Sequence, residues 1–164
     1  MDYEITPMHV EHWTAVREIY GEGMATGNAT FETELTEWQK WDSAHRKDCR
    51  LIARKLDQVL GWAALSPVSG RRVYSGVAEV SVYVAAAARR SGVGKSLLQA
   101  LIAESELHGI WTLQAGIFPE NVASIALHKS CGFRKVGLRR RIGKLGERWR
   151  DVMLLERRSA TVGI

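Results

Sequence analysis

Residues 80–96 read VSVYVAAAARRSGVGKS and contain two hydrophobic periods in one stretch. In the first half, valines at every second position alternate with Ser81 and Tyr83, which is typical of a strand with one buried face. From Gly92 onward, apolar residues recur at the spacing of one face of a helix. The stretch therefore predicts a strand that passes through a short loop into a helix.

The loop between this strand and this helix, Arg89 to Gly94, is basic and rich in glycine. The N-terminus of a helix leaves backbone N–H groups unpaired and carries a partial positive charge. Glycines allow a ligand to approach these N–H groups closely, so the segment predicts a phosphate-binding loop. A glycine-flanked turn in front of an ordinary helix is the alternative.

Spacing distinguishes two kinds of phosphate-binding loop. Gly94-Lys95-Ser96 matches the end of a Walker A motif, but that motif requires a glycine at the position of Arg89. The spacing R-x-x-G-x-G, from Arg89 through Gly92 to Gly94, does fit the chain. It resembles the pyrophosphate loop of the GNAT acetyltransferase superfamily, which binds acetyl-CoA.

Further segments carry the same resemblance. Residues 121–128, NVASIALH, followed by Cys131-Gly132-Phe133, resemble the superfamily's N-x-x-[AS]…G-F signature. Residues 79–84, EVSVYV, resemble the E-x-S-V-Y-V run of the phosphinothricin acetyltransferase branch, and the likeness extends to ATFE at residues 29–32 and to residues 146–151. The resemblance covers most of the chain. It implies a mixed α/β GNAT fold, in which helices flank a central twisted mixed sheet and splayed strands form an acetyl-CoA cleft.

The resemblance also implies that acetyl-CoA is the cosubstrate and indicates which residues hold it. The backbone of Val82, Tyr83 and Val84 would bind the pantetheine arm, and the N–H of Val84 would polarise the thioester carbonyl. The residues expected at the pyrophosphate are Arg89, Arg90, Ser91, Gly92, Val93, Gly94, Lys95 and Ser96. Asn121 and Ser124 are expected to contact the cofactor from the other side of the cleft.

Acetyl transfer needs a neutral attacking amine and a stabilised or protonated leaving thiolate. The resemblance makes Glu79 the candidate base, acting directly or through water; the alternative is a carboxylate that pairs with Arg71 or Arg72. His128 stands where many relatives have a tyrosine proposed as the proton donor, and histidine can donate near neutral pH; the alternative is a structural buried histidine. No cysteine lies in a pattern that suggests an acetyl-enzyme, which predicts direct attack in a ternary complex.

Members of this branch acetylate the amine of small amino-acid analogues such as phosphinothricin, methionine sulfoximine and methionine sulfone. A carboxylate or phosphinate group is well matched by a guanidinium fork, although adjacent arginines in a solvated loop are the alternative. The expected substrate-binding residues are Phe31, Glu32, Arg71, Arg72, Tyr74 and Glu79. Another amine, on an antibiotic, a polyamine or a protein N-terminus, remains open as the acceptor.

The composition, 46% apolar and 25% charged over 164 residues, fits one globular domain that spans residues 1–164. Much of the excess positive charge behind the net +5 lies in Arg89-Arg90 and in residues 134–150. A nucleic-acid binder would be built on residues 139–141, but Trp149 is the one aromatic available there for stacking. Both this alternative and a P-loop nucleotide binder rank below the acetyltransferase, so no nucleic-acid partner is expected.

Location, metal content and assembly follow from other observations. No apolar run reaches the length of a membrane span, and the first residues, MDYEITP, lack a signal region, which predicts a cytoplasmic protein with no membrane partner. Cys49 and Cys131 are expected as free thiols, and no Cys or His spacing predicts a metal site. The resemblance implies a homodimer in which the loop from Lys144 to Trp149 reaches the neighbour's cleft.

Local signals predict several further elements. Thr6-Pro7 is typical of a helix start, and Thr36 with Gln39 has the spacing of a capping box. Two hairpins are expected to turn at residues 56–58 and 143–146.

Overall fold

The computed structural model describes residues 2–164, and within them seven strands form one sheet in the order β1-β2-β3-β4-β5-β7-β6. The strands are β1 (Glu4–Pro7), β2 (Leu51–Lys55), β3 (Gln58–Pro67), β4 (Val77–Val84), β5 (Thr112–Ile117), β6 (Arg134–Leu145) and β7 (Arg148–Arg158). The helices are α1 (Trp13–Ala25), α2 (Trp38–Ala44), α3 (Val93–Leu107) and α4 (Val122–Ser130). This architecture confirms the predicted mixed α/β fold.

One pair of strands sets the shape of the sheet. β4 and β5 are parallel, whereas the other neighbouring strands are antiparallel. The parallel pairing covers Val77 to Glu79 on β4 and Thr112 to Gln114 on β5, and it stops there. Beyond that point β4 continues beside β3 to Val84, while β5 continues beside β7 to Ile117. The sheet therefore opens after Glu79, which confirms the splayed strands.

The two faces of the sheet carry two different cores. Helix α3 buries its predicted apolar face against the larger core, together with valines of β4 and Leu155 of β7. The opposite face packs against α1 and α2 through an aromatic cluster in which Trp62 stacks on Tyr83 at 4.9 Å and contacts Trp41 at 5.5 Å between ring centroids. Because side chains alternate along a strand, β4 contributes to both cores at once. None of the helices in residues 2–164 is long and apolar enough to cross a membrane.

The helix start predicted at Thr6-Pro7 is wrong. Both residues lie in β1, where Pro7 pairs with Leu51, and α1 begins at Trp13 after a short 3-10 helix. Because β1 is an edge strand, the missing N–H of a proline costs the sheet little there. Pairing with a strand some 45 positions away along the chain, as in Thr6 with Ile52, overrides the local signal.

Two other local predictions need correction. Helix α2 is present, but it begins at Trp38 with Glu37 as N-cap and has no side-chain capping bond; the carbonyl of Thr36 instead accepts a hydrogen bond from Arg17 Nε at 2.9 Å. The last hairpin turns at residues 146–147, whereas Gly143 lies inside β6 beside an irregularity in the register. The predicted turn at residues 56–58 is confirmed to within one residue.

Gly61 tests how tightly the end of β4 is packed. It pairs with Val84, and a Cβ added at Gly61 would lie 2.8 Å from the carbonyl oxygen of Tyr83 and 3.0 Å from Leu97 Cδ1. We expect Gly61→Ala to lower the free energy of unfolding by about 1–3 kcal/mol, the usual cost of overpacking, as measured by urea denaturation.

Gly70→Ala is the matched control, because a Cβ at Gly70 would meet no atom within 4 Å. The same substitution restricts the unfolded chain similarly at both positions, so the difference between the two variants isolates the packing cost. Equal stability of the two variants would contradict the tight approach at Gly61.

Candidate active site

The basic loop ahead of α3 combines left-handed backbone with the start of a helix. Arg90 has φ 62° and Gly92 has φ 85°, and Gly92 is the N-cap of the 15-residue helix α3. The first N–H groups of a helix have no partner within the helix and carry a partial positive charge, and this combination binds anions. The side chains of Arg89, Arg90 and Lys95 are exposed around this helix start. The arrangement fits the predicted pyrophosphate site.

Other predicted cofactor residues have structural contacts as well. A Cβ added at Gly94 would lie 3.3 Å from Leu127 Cδ2 and 3.4 Å from Val84 Cγ2, so this glycine lies where α3, α4 and β4 meet. The hydroxyl of Ser96 is hydrogen-bonded to the hydroxyl of Tyr3 at 2.8 Å. Ser96 therefore serves the packing of α3 against the N-terminal segment, and its contact with the cofactor remains a prediction.

The free edge of β4 presents backbone groups to the opening in the sheet. The N–H of Ala85 donates to the carbonyl of Leu60 on the β3 side at 2.8 Å. Hydrogen bonds alternate in direction along an antiparallel strand, so the N–H groups of Val82 and Val84 point away from β3, toward the gap left by β5. This orientation is the one that an oxyanion or pantetheine contact requires.

Glu79 lies at the vertex of this opening. Gln114 Nε2 donates a hydrogen bond to Glu79 Oε1 at 3.4 Å, and a Cβ at Gly116 would lie 3.8 Å from the same oxygen. The absence of a side chain at Gly116 thus leaves room beside the carboxylate. In residues 2–164, no ion pair joins Glu79 to Arg71 or Arg72, so the alternative of a structural salt bridge is not supported.

Strand geometry bears on how Glu79 could reach the reacting carbonyl. An extended strand rises about 3.3 Å per residue, which puts the Cα of Val84 roughly 17 Å from that of Glu79 and the Cα of Val82 roughly 10 Å away. A carbonyl held at Val84 is beyond the direct reach of the carboxylate and its amine substrate. A carbonyl held at Val82 is within reach.

The predicted acceptor residues fall into two groups. Phe31 packs edge-on against Phe118, with ring centroids 4.8 Å apart, and its ring also covers Gly143. Glu32 is exposed beside it. Arg71, Arg72 and Tyr74 lie on the exposed connection from β3 to β4, where the Arg71 guanidinium lies 5.4 Å from the Tyr74 ring centroid. No hydrogen bond within the described residues links this second group to Glu79 or Phe31.

The start of α4 brings together Asn121, Ser124 and His128. Asn121 Oδ1 caps the helix by accepting the N–H of Ser124 at 3.3 Å, and its Nδ2 donates to the carbonyl of Asn28 at 3.1 Å. His128 is buried, packs edge-on against Phe133 and donates from Nδ1 to the carbonyl of Ser124 at 2.7 Å. Burial lowers the pKa of His128, so the neutral ring is favoured near pH 7. Its role as proton donor stays a prediction.

Sequence reasoning missed Asn28, Gln114, Gly116, Phe118 and Arg150. Arg150 is the clearest case, because it is 6% exposed in a hairpin whose other charged residues are mostly exposed. Its guanidinium carbon lies 4.0 Å from the ring centroid of Phe118. Net charge and spacing give no signal that separates Arg150 from the solvated arginines around it.

A cluster remote from this cleft bears on metal binding. Asp48, Cys49 and His108 bring potential ligand atoms within 4.8 Å of one another. However, Arg46 donates to both oxygens of Asp48 at 2.7 Å, and His108 Nδ1 donates to the carbonyl of Glu104 at 2.9 Å. Burial raises the pKa of the Cys49 thiol to about 12, whereas metals bind the thiolate. We therefore assign no metal to this cluster.

Comparison with known proteins agrees with this geometry. The acetyltransferase (GNAT) family model matches residues 13–133. A phosphinothricin N-acetyltransferase from Alcaligenes faecalis is 34% identical over 154 residues, which cover 87% of this chain and 76% of that protein. An L-methionine sulfoximine/L-methionine sulfone acetyltransferase from Pseudomonas paraeruginosa is 34% identical over 140 residues, 80% of this chain and 81% of that protein.

A solved structure shares the whole fold. The crystal structure of a GNAT superfamily phosphinothricin acetyltransferase from Sinorhizobium meliloti, in complex with AcCoA, superposes with a TM-score of 0.88 at 26% identity. The match covers 99% of this chain and 91% of that one. Sheet topology, the loop before α3 and these similarities lead to one conclusion: the chain belongs to the GNAT acetyltransferase family.

Proposed function

We propose that this protein transfers the acetyl group of acetyl-CoA to the amine of a small amino-acid-like acceptor, by direct attack in a ternary complex. Acceptors of the phosphinothricin, methionine sulfoximine and methionine sulfone type are the first choice, because relatives that are 34% identical carry those names. The observation that carries the proposal is the opening between β4 and β5, which has the Glu79 carboxylate at its vertex and unpaired amides along one wall.

The cosubstrate would be held mainly by charge and by backbone amides. Residues 89–95 offer exposed basic side chains and the amides of a helix N-terminus for its phosphates, and the free edge of β4 offers hydrogen-bond donors for its pantetheine arm. When bound, acetyl-CoA supplies a thioester whose C–S bond breaks as the new C–N bond forms. The N–H groups that face the gap would stabilise the charge that develops on the carbonyl oxygen.

Glu79 would accept a proton from the acceptor amine. With the carbonyl oxygen at the N–H of Val82, the carboxylate could act directly, whereas with the carbonyl at Val84 the proton must pass through water. The wall of the acceptor site would consist of Phe31 with Phe118, and Glu32 lies beside it. Arg71 and Arg72 are the proposed partners of an acidic group on the acceptor, because both side chains are exposed and neither forms an ion pair within residues 2–164.

Cofactor binding gives the most direct test. At a concentration of about 100 times Kd, acetyl-CoA or CoA should raise Tm by roughly 5–10 °C, because a ligand that binds the folded state stabilises it by about 2.7 kcal/mol under those conditions. ATP with Mg²⁺ should not do so. Turnover, measured by thiol release, is then compared for phosphinothricin, methionine sulfoximine, methionine sulfone, a polyamine and a peptide N-terminus.

Arg89→Met should reduce the shift caused by acetyl-CoA, since Arg89 lies at the phosphate loop. Arg54→Met should leave it unchanged, because Arg54 pairs with Glu4 at 2.8 Å on the face of the sheet opposite to α3, to which Ile5 and Ala53 point. A protein that is stabilised by ATP and not by CoA would contradict the proposal.

The general base is tested by Glu79→Gln. We expect kcat/KM for the acceptor to fall about 10²–10⁴-fold, the range for loss of general acid–base catalysis, with an unchanged Kd for acetyl-CoA. Glu4→Gln, at the far edge of the sheet, is the matched control. Full turnover of Glu79→Gln across the pH range would mean that Glu79 is structural.

The same pH profile decides the role of His128. A histidine that donates a proton must be protonated, and burial lowers the pKa of His128 from 6.5, so kcat would then fall as the pH rises through a value below 6.5. We expect kcat to stay level above about pH 7, because Nδ1 is already bonded to Ser124 and the neutral form is favoured. A wild-type kcat that falls as the pH rises through a value below 6.5, with no such fall in His128→Gln, would instead identify His128 as the proton donor.

We also propose that the protein forms a homodimer through the β6–β7 hairpin. β6 is an edge strand with half-exposed apolar side chains, among them Val136 (45%) and Leu138 (40%), and Trp149 on β7 is 50% exposed. Exposed apolar side chains clustered on a sheet edge favour association. The loop from Lys144 to Trp149 would then lie near the partner's cleft.

Sedimentation velocity should therefore show a dimer for the wild type and a monomer for Trp149→Glu, because a carboxylate is costly in an apolar interface. Leu107→Glu is the control, since Leu107 is 79% exposed at the end of α3. A wild type that sediments as a monomer, or a Trp149→Glu variant that sediments as a dimer, would refute this interface.

A further inference from the structure

The loop that carries Phe31 and Glu32, residues 26–32, is called here the acceptor loop. Side chains from three separate elements hold three successive residues of it. Arg150 Nη1 on β7 donates to the carbonyl of Gly27 at 2.9 Å, and Tyr83 on β4 donates its hydroxyl to the carbonyl of Ala29 at 3.4 Å. Between them, Asn28 accepts from Arg150 Nη2 at 2.7 Å through Oδ1 and from Asn121 Nδ2 at 3.1 Å through its carbonyl.

Arg150 makes the strongest of these contacts. Its side chain is 6% exposed, and a buried guanidinium is costly unless its N–H groups find acceptors. Two of the oxygen atoms that accept hydrogen bonds from Arg150 belong to the acceptor loop. The third is Glu120 Oε2 at 3.2 Å, on a side chain that is 54% exposed. The loop therefore supplies two of the three oxygens that accept hydrogen bonds from Arg150, so the loop and the arginine hold each other in position.

The same contacts set the loop against the walls of the cleft. The guanidinium of Arg150 lies over one face of Phe118, whose ring is in edge-on contact with Phe31. Asn121 joins the loop to the N-terminus of α4, because a single amide group caps that helix and binds Asn28. A displacement of Arg150 would therefore move Phe31 relative to Phe118.

We propose that Arg150 is a positioning residue for the acceptor, acting through Asn28 on the loop that bears Phe31. This inference rests on the proposed function, since it assigns Phe31 to the wall of the acceptor site. Within residues 2–164, the side chain of Arg150 makes its hydrogen bonds and its ring contact with the acceptor loop, Glu120 and Phe118, and none of these lies in residues 89–96. Its one link to a predicted cofactor residue runs through the backbone carbonyl of Asn28 to Asn121. We therefore expect Arg150 to affect acceptor binding far more than binding of acetyl-CoA.

The first test is Arg150→Met, with KM and kcat measured for the best acceptor and Kd measured for acetyl-CoA. We expect KM for the acceptor to rise about ten-fold or more, because charge-assisted hydrogen bonds that fix the loop are lost, with Kd for acetyl-CoA changed less than about two-fold. Arg54→Met is the matched control: it removes a guanidinium–carboxylate pair of 2.8 Å at the opposite edge of the sheet and should alter neither constant.

Asn28 provides a milder pair of variants, since loss of a buried arginine can lower the yield of folded protein. Asn28→Ala removes only the side-chain acceptor of Arg150 and should also raise KM, whereas Asn28→Asp keeps an acceptor oxygen and should restore KM toward the wild-type value. Because both residues act through one contact, Asn28→Ala should add little to the effect of Arg150→Met.

Hydrogen–deuterium exchange supplies a readout that does not depend on turnover. Amides of residues 26–32 should exchange faster in Arg150→Met and Asn28→Ala than in the wild type, while those of α3 stay protected. Unchanged exchange in the loop, an unchanged KM, or an equal loss of acetyl-CoA binding would overturn the inference. A wild type that binds no acetyl-CoA would refute the proposed function instead, and the exchange result would still decide whether Arg150 holds the loop.

Discussion

The partial pairing of β4 with β5 is the constraint on which the site depends. A parallel pair that ran the full length of both strands would satisfy every backbone group between them and leave no cleft. Here pairing ends at Glu79 and Gln114, and each strand then follows a different neighbour. Unpaired amides inside a sheet need partners, and a bound ligand can supply them. The opening thus exchanges sheet hydrogen bonds for ligand hydrogen bonds.

The two faces of β4 pack against different parts of the proposed site. On one face of β4, valines pack against α3, so the helix proposed to bind the phosphates is held rigidly to the strand proposed to face the thioester. On the other face, Tyr83 packs among the tryptophans and reaches the acceptor loop through its hydroxyl. On the proposed function, one rigid strand would therefore align both substrates, and correct alignment of reacting groups accounts for much of an enzyme's rate advantage.

The acceptor half of the site is assembled from segments that are distant along the chain. Phe31 comes from the loop after α1, Phe118 from the connection before α4, and Arg150 from the last strand. A buried arginine fixes the position of a loop more precisely than a surface ion pair does. The N–H donors of its planar guanidinium form good hydrogen bonds only with oxygens at defined positions. The position of the loop then depends on β7 as much as on the loop itself, and on the proposed role of Phe31 the choice of acceptor would depend on β7 as well.

The sequence by itself determined strand β4, the basic glycine loop and helix α3, because all three follow from hydrophobic periods and glycine spacing within one stretch of fewer than 30 residues. Only the tertiary structure decided the rest. It placed Thr6-Pro7 in an edge strand, ended the β4–β5 pairing at Glu79, and joined Arg150 to Asn28 across 122 positions of sequence. Local patterns report the conformation of a segment, whereas pairing and burial depend on residues that folding brings together, so no local signal distinguishes Arg150 from its solvated neighbours.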